Sequence, residues 1–248
     1  MQTNPRLIAI ASGKGGVGKT WFAITLAHAL TRLGRRVLLF DGDLGLANID
    51  VQLGLTPEHD LGSVLAGRVS LTEAVMRHPD GGFDILAGRS GSGALSALDP
   101  THLEAVLAMS RHVPAGYDDV LLDLGAGVER AVRRMAAAAD ILLVLATEEP
   151  TSLTDAYAVL KLHRADRPEG DARLVVNMAP TRADGERTCT TLRRACATFL
   201  RFKPLLAGII RRDDKVRDAI RRQTLLLTRH PGCSAASDVE AVAYGLVG

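Results

Sequence analysis

Apolar residues in this chain come in short blocks of neighbouring positions, and helical spacing fills the gaps between the blocks. The blocks are residues 7–11, 37–40, 83–86, 120–124, Ile141–Ala146, 174–176, 205–210 and 225–227. A half-solvated strand alternates apolar and polar side chains, whereas a run without alternation suits a strand covered on both faces. Residues 20–33, 101–112, 152–163, 188–200 and 216–222 instead carry apolar positions at helical spacing, with Leu103, Val106, Leu107 and Ser110 on one face of the second. Gly34 stands where the first helix would stop, and Pro150 precedes the third. Strand and helix in alternation predict an α/β fold, a mainly parallel central sheet with helices on both faces and right-handed crossovers. No repeat or linker interrupts the pattern, so residues 1–248 read as a single domain, with a Gly/Ser-rich loop at 88–93.

Composition adds limits. Aromatics are only 4%, so Leu, Val, Ile and Ala must build the core. No apolar run approaches the ~18 residues that span a bilayer, and the polar start before the first block does not read as a signal peptide. A cytoplasmic location is expected. Three cysteines, Cys189, Cys196 and Cys233, form no CxxC pair and predict free thiols. The seven histidines show no metal-ligand spacing, and no hydrolase nucleophile motif is present.

The net charge of +2 implies no nucleic-acid partner by itself. Its distribution is uneven, because residues 182–229 hold 13 Lys/Arg against 5 Asp/Glu. That excess reads either as the solvated faces of late helices or as a docking surface for an anionic partner.

The strongest local signal is Gly13-Lys14-Gly15-Gly16-Val17-Gly18-Lys19-Thr20. It fits G-x-x-x-x-G-K-[ST] and lies between a predicted strand and a predicted helix. Glycines let successive N–H groups face a phosphate chain, and the helix start adds its positive dipole end. Lys19 would bridge the β- and γ-phosphates, and the Thr20 hydroxyl would ligate Mg²⁺. Gly13, Gly15 and Gly18 also satisfy a dinucleotide turn, but that turn does not need Lys19-Thr20. Lys14 reads either as a solvated loop lysine or as an extra charge reaching across a dimer interface.

Carboxylates follow at strand ends, where open α/β sheets gather their ligands. Asp41 and Asp43 flank Gly42 after the second block, and read either as a solvent-facing turn or as groups for Mg²⁺ and the attacking water. Asp123 ends an apolar strand in the Walker B manner. Glu148-Glu149-Pro150 reads as a switch segment, a partner contact or a helix N-terminus. Asn177 reads as a base contact or a turn residue.

Together these motifs resemble the deviant-Walker-A ATPases of the MinD/ParA type, with Lys14 as the signature lysine. The resemblance covers nearly the whole chain. Residues 41–51, 150–157 and 213–223 are similar to segments of the flagellar-number subgroup, FlhG/FleN. The resemblance implies two ATP molecules sandwiched in a homodimer, with hydrolysis to ADP releasing it. Lys14, Lys19 and Asp43 would be the catalytic groups, Lys14 acting on the partner's ATP and Asp43 positioning the lytic water. Residues Gly13, Lys14, Gly15, Gly16, Val17, Gly18, Lys19 and Thr20 would hold the phosphates and Asn177 the adenine. Thr20, Asp41 and Asp123 would serve Mg²⁺. Implied partners are a flagellar GTPase, a switch-complex protein or a transcription activator, with recruitment to a pole or membrane surface. A partitioning ATPase of the ParA kind, binding DNA non-specifically, is the alternative; a cluster-carrying reductase would need cysteines that residues 88–127 lack.

Departures from the family's usual residues are Trp21, Thr25, Arg211 and Arg212. Only residues 1–6 precede the first expected strand, so the subgroup's usual activating segment is not expected here. Residues 237–246 place Val239, Val242, Ala243 and Leu246 on one face, but with Asp238 and Glu240 and no Lys or Arg. A core-packing helix is expected there rather than a basic membrane anchor.

Overall fold

β1 (Arg6–Ser12) runs through the centre of an eight-stranded sheet whose order is β3-β4-β2-β5-β1-β6-β7-β8. The computed structural model describes residues 4–43, 45–88, 100–114 and 116–248. In chain order the strands are β2 (Val37–Gly42), β3 (Val75–Arg77), β4 (Asp84–Leu86), β5 (Asp119–Ala126), β6 (Ile141–Ala146), β7 (Asp171–Ala179) and β8 (Leu205–Arg211). All neighbours pair in parallel except β3 with β4. The helices are α1 (Lys19–Arg32), α2 (Ile49–Leu53), α3 (Leu61–Leu65), α4 (Leu71–Ala74), α5 (Pro100–Arg111), α6 (Arg130–Ala138), α7 (Pro150–Asp166), α8 (Arg182–Leu200), α9 (Asp214–Arg221), α10 (Leu226–Arg229) and α11 (Ser234–Val247).

Side chains alternate across a strand, so β1 feeds two cores. Ile8 and Ile10 join Phe22, Leu26, Ile49, Leu227 and Val239, under α1, α2, α10 and α11. Leu7, Ala9 and Ala11 join Leu61, Val106, Met135, Leu160 and Leu192, under α3, α5, α6, α7 and α8. Strands β1, β2 and β6 are buried throughout apart from Arg6, because helices cover both faces. This is the P-loop arrangement of a mainly parallel sheet expected from the unbroken apolar runs.

One expected strand is overturned. Residues 225–227 are not a strand; Leu225 caps α10, and its three leucines fill the core between α1 and α9. A short apolar run does not by itself distinguish a buried strand from a buried helical turn. Of the expected loop at 88–93, all but Gly88 lies outside the described residues. The C-terminal segment forms α11, with Val239, Val242, Ala243 and Leu246 buried, as its acidic polar face suggested. No described helix is long and apolar enough to cross a membrane.

The β2–β5 register sets Asp41 beside Asp123, and the β1–β5 register sets Ile10 beside Asp123. Both acids therefore reach the carboxyl edge of the sheet at the level where β1 gives way to residues 13–18.

Candidate functional site

Residues 13–18 join β1 to α1. Gly18 is the N-cap, with φ +88°, a left-handed conformation that favours glycine, and no side chain caps the first turn of α1. The N–H groups of that turn stay open to an anion. Gly13 is required for a different reason, because a Cβ there would overlap the Asp155 backbone of α7.

Lys19 points back under the loop, and its ammonium donates to the Ser12 hydroxyl at 3.0 Å. Burial holds its pKa below the ordinary lysine value, while the charges of Asp123 and Asp43 pull it upward. Asp123 is 1% exposed. Burial pushes its carboxyl up to about 7; the Thr20 hydroxyl and Lys19 act against that shift, and Asp43 adds to it. Its Oδ1 is buried without a hydrogen-bond partner.

Asp41 is engaged differently. Its Oδ1 accepts from the Asp43 N–H at 3.2 Å, and its Oδ2 from the Asn48 and Ile49 N–H groups at 3.0 and 3.2 Å. Burial and the nearby Asp123 raise its carboxyl to about 8, against those three donors. Asp41 thus shapes the turn from β2 into α2. Within that turn Asp43 Oδ1 accepts from Leu46 N–H at 2.9 Å and Gly45 N–H at 3.3 Å. The Asp43 carboxylate stands over Gly125, where a Cβ would lie 3.3 Å from its Oδ1.

The signature lysine turns to α7. Lys14 Nζ donates to Glu149 Oε2 at 2.8 Å and to Thr151 Oγ1 at 3.2 Å. Glu149, one of the acids singled out in the sequence, is its charge partner, and that contact holds the Glu149 carboxyl below its ordinary pKa. Asn177 is buried and donates from Nδ2 to the Val17 carbonyl at 2.7 Å, so it braces the loop from β7. The next residue, Met178, has φ +57°, and the β7–β8 register shifts between Val176 and Ala179. That local strain lets Asn177 reach the loop.

Lys19, Thr20, Asp43 and Asp123 therefore converge, Lys14 stands at the rim on Glu149, and Asp41 and Asn177 brace the two sides. Among the departures, Trp21 packs in the core with its Nε1 buried and without a partner, and Thr25 Oγ1 donates to the Trp21 carbonyl at 2.8 Å. Arg211 is held by Asp238 of α11 through three hydrogen bonds of 2.9 Å. Ser12 escaped the sequence reading; its signal is a polar residue closing an apolar strand just before the loop.

These residues fit a magnesium–nucleotide. Mg²⁺ takes few protein oxygens and keeps waters and substrate phosphates. A buried, unpartnered Asp123 oxygen beside the Thr20 hydroxyl offers that oxygen set. Among the described residues no cluster of three or more His, Cys, Asp or Glu could hold a metal by itself.

A glycine-bent loop, an uncapped helix start and a lysine among strand-end acids define a P-loop nucleotide-binding protein. The chain belongs to the CobQ/CobB/MinD/ParA nucleotide binding domain family, whose profile matches residues 8–226. It is 37% identical over 238 residues to the antiactivator FleN of Pseudomonas aeruginosa, covering 96% of this chain and 85% of that one. It is 28% identical over 245 residues to the flagellum site-determining protein YlxH of Helicobacter pylori, covering 98% and 82%. The cell division ATPase MinD of Pyrococcus furiosus superposes with a TM-score of 0.80 at 25% identity over 98% of both chains.

Proposed function

We propose that this chain is one ATPase domain that binds ATP with Mg²⁺ at residues 13–20, dimerises around it, and hydrolyses it to ADP and phosphate. The switch so formed would regulate flagellar number or placement. The observation that carries the reading is the convergence of Lys19, Thr20, Asp43 and Asp123 beside the loop, and the likeness to FleN directs it toward the flagellum.

Phosphoryl transfer needs mainly positioning and charge neutralisation. Mg²⁺, which Thr20 and Asp123 would hold while Asp41, with its oxygens taken by backbone N–H groups, fixes the turn beside them, would supply charge neutralisation on the phosphates. Lys19 donates to phosphate oxygens from beneath the loop. Asp43 orients the lytic water, exchanging its contacts with Gly45 and Leu46 for it. Lys14 leaves Glu149 and reaches the phosphates bound by the partner protomer. Asn177, anchored to Val17, stands on the base side.

An antiactivator acts against an activator, so a transcription activator is the partner that FleN's name favours; a flagellar GTPase or a switch-complex protein are the others. The location is cytoplasmic, with recruitment to a cell pole or membrane surface through a partner. The test is twofold: Mg²⁺-dependent phosphate release by the purified protein, and complementation of Pseudomonas aeruginosa lacking FleN. Phosphate release abolished by Lys19→Ala, with flagellar number restored by the unaltered chain, supports the reading. No phosphate release removes the enzyme, and release without complementation removes the flagellar role.

The second reading is a partitioning ATPase on DNA, favoured by the exposed Lys215, Arg217 and Arg221 of α9. Four of the arginines in residues 182–229 are held by acids of the same window, however: Arg182 faces Glu186, Arg187 faces Asp184, and Arg222 and Arg229 share Asp218. DNA binding that falls steeply with salt would favour this alternative.

A further inference from the structure

Ser12 closes β1 as its only polar residue after Arg6, and it is fully buried. Its hydroxyl is engaged at both ends. Oγ donates to the Lys14 carbonyl at 2.7 Å and accepts from the Lys19 ammonium at 3.0 Å. The Ser12 carbonyl accepts from the Gly127 N–H at 2.9 Å, tying the same residue to the segment that follows Asp123.

Two consequences follow from elementary geometry. In a trans peptide the carbonyl of one residue and the N–H of the next point in opposite directions, and no cis peptide occurs among the described residues. With the Lys14 carbonyl turned to the buried Ser12 hydroxyl, the Gly15 N–H is turned away from the floor of the loop. An ammonium carries three donors, so Lys19, with one on Ser12, keeps two for phosphate oxygens. Without that neutral acceptor, the charges of Asp123 and Asp43 would draw Lys19 toward the carboxylates and away from the loop.

We infer that Ser12 is a positioning residue of the phosphate site, its hydroxyl aiming the Lys19 ammonium and the Lys14–Gly15 peptide at the β-phosphate of a bound nucleotide. The inference rests on the nucleotide reading above, and it goes further by assigning a phosphate-specific task to a residue outside the loop motif. Ser12 acts through Lys19 and Gly15 and itself touches no substrate.

The test compares Mg²⁺-ADP with AMP by titration calorimetry on the intact chain, so no turnover is involved. AMP lacks the β-phosphate. Ser12→Ala should weaken ADP binding about tenfold, the scale of a hydrogen bond to a charged group, and leave AMP binding within about twofold. Ser12→Thr, which keeps the hydroxyl, should recover most of the ADP affinity. Should the alanine variant fail to fold, Ser12→Cys keeps the volume with a far weaker donor and takes its place. Equal losses for ADP and AMP, unchanged ADP affinity in Ser12→Ala, or a threonine variant as weak as the alanine one would each overturn the inference. Failure of the unaltered protein to bind ADP would instead overturn the nucleotide reading itself.

Discussion

Replacing Gly13 by alanine sets a methyl group against the backbone of α7. The added Cβ would fall within 3.0 Å of the carbonyl carbon and oxygen of Asp155, a separation that real Cβ atoms essentially never show. Backbone of a packed helix cannot swing aside as a side-chain tip can, so α7 must shift or strain. Overpacking of this kind costs about 2–3 kcal/mol. Gly15 is the internal control. Nothing lies within 4 Å of its Cβ position, and its φ lies outside the left-handed range. Gly15→Ala should therefore be neutral or stabilise by roughly 0.5 kcal/mol, through the reduced freedom of the unfolded chain. Urea unfolding without nucleotide separates the two. With a slope near 3 kcal/mol/M for a domain of this size, Gly13→Ala should lower the midpoint by roughly 0.7–1 M, while Gly15→Ala leaves it in place. Gly18→Ala should also destabilise, by about 1–2 kcal/mol for a left-handed residue, and should disturb Asn177, whose Nδ2 would lie 2.6 Å from the new Cβ. Equal midpoints for Gly13→Ala and Gly15→Ala, or the reverse order, would refute the close approach of loop and helix on which the Lys14–Glu149 contact depends.

Other outcomes follow from the same geometry. Glu149→Gln removes the charge that holds Lys14, so ATP should drive dimerisation at lower protein concentration than in the unaltered chain, as read by analytical ultracentrifugation; a higher requirement would mean that Glu149 assists Lys14 rather than restraining it. Lys14→Ala should bind ATP with affinity close to the unaltered protein and yet sediment as a monomer. Burial holds the Asp123 carboxyl near 7 in the folded protein, against an ordinary 3.8. The folded state therefore keeps a proton that the unfolded chain releases, and this group's stabilising contribution is lost as pH rises from about 4 to 7. Chemical unfolding across that range should show the fall, and Asp123→Asn should make it shallower while leaving the share of Asp41, whose buried carboxyl is also raised, to about 8. The sole tryptophan, Trp21, buried two residues beyond Lys19, should change its fluorescence on ADP addition in the unaltered protein and not in Lys19→Ala.

Much of this was readable in advance because it depends on local chemistry. The run ending at Asp123 lacks alternation since both sides of β5 are covered, and the loop at 13–20 carries its own backbone requirements. Elements with little apolar signal were not readable. α6 buries mainly Met135 and Ala136 on an arginine-rich helix, and residues 182–187 at the start of α8 bury only Gly185, which is pressed against Ile209. The leucines at 225–227 misled because burial on all sides erases periodicity. In the site, the residue types were legible but their tasks were not. Lys14 meets Glu149 across 135 positions, and only the fold reveals that Asp41 spends its carboxylate on three backbone N–H groups while an Asp123 oxygen is left without a partner.

In the proposed function ATP makes the dimer and hydrolysis undoes it. Size-exclusion chromatography with light scattering on Asp43→Ala, run in Mg²⁺-ATP and in Mg²⁺-ADP, separates the two steps, because that variant keeps the loop, Lys19 and Thr20 but lacks the group proposed to orient water. A dimer in ATP and a monomer in ADP are expected; a monomer in both nucleotides would overturn the ATP-made dimer.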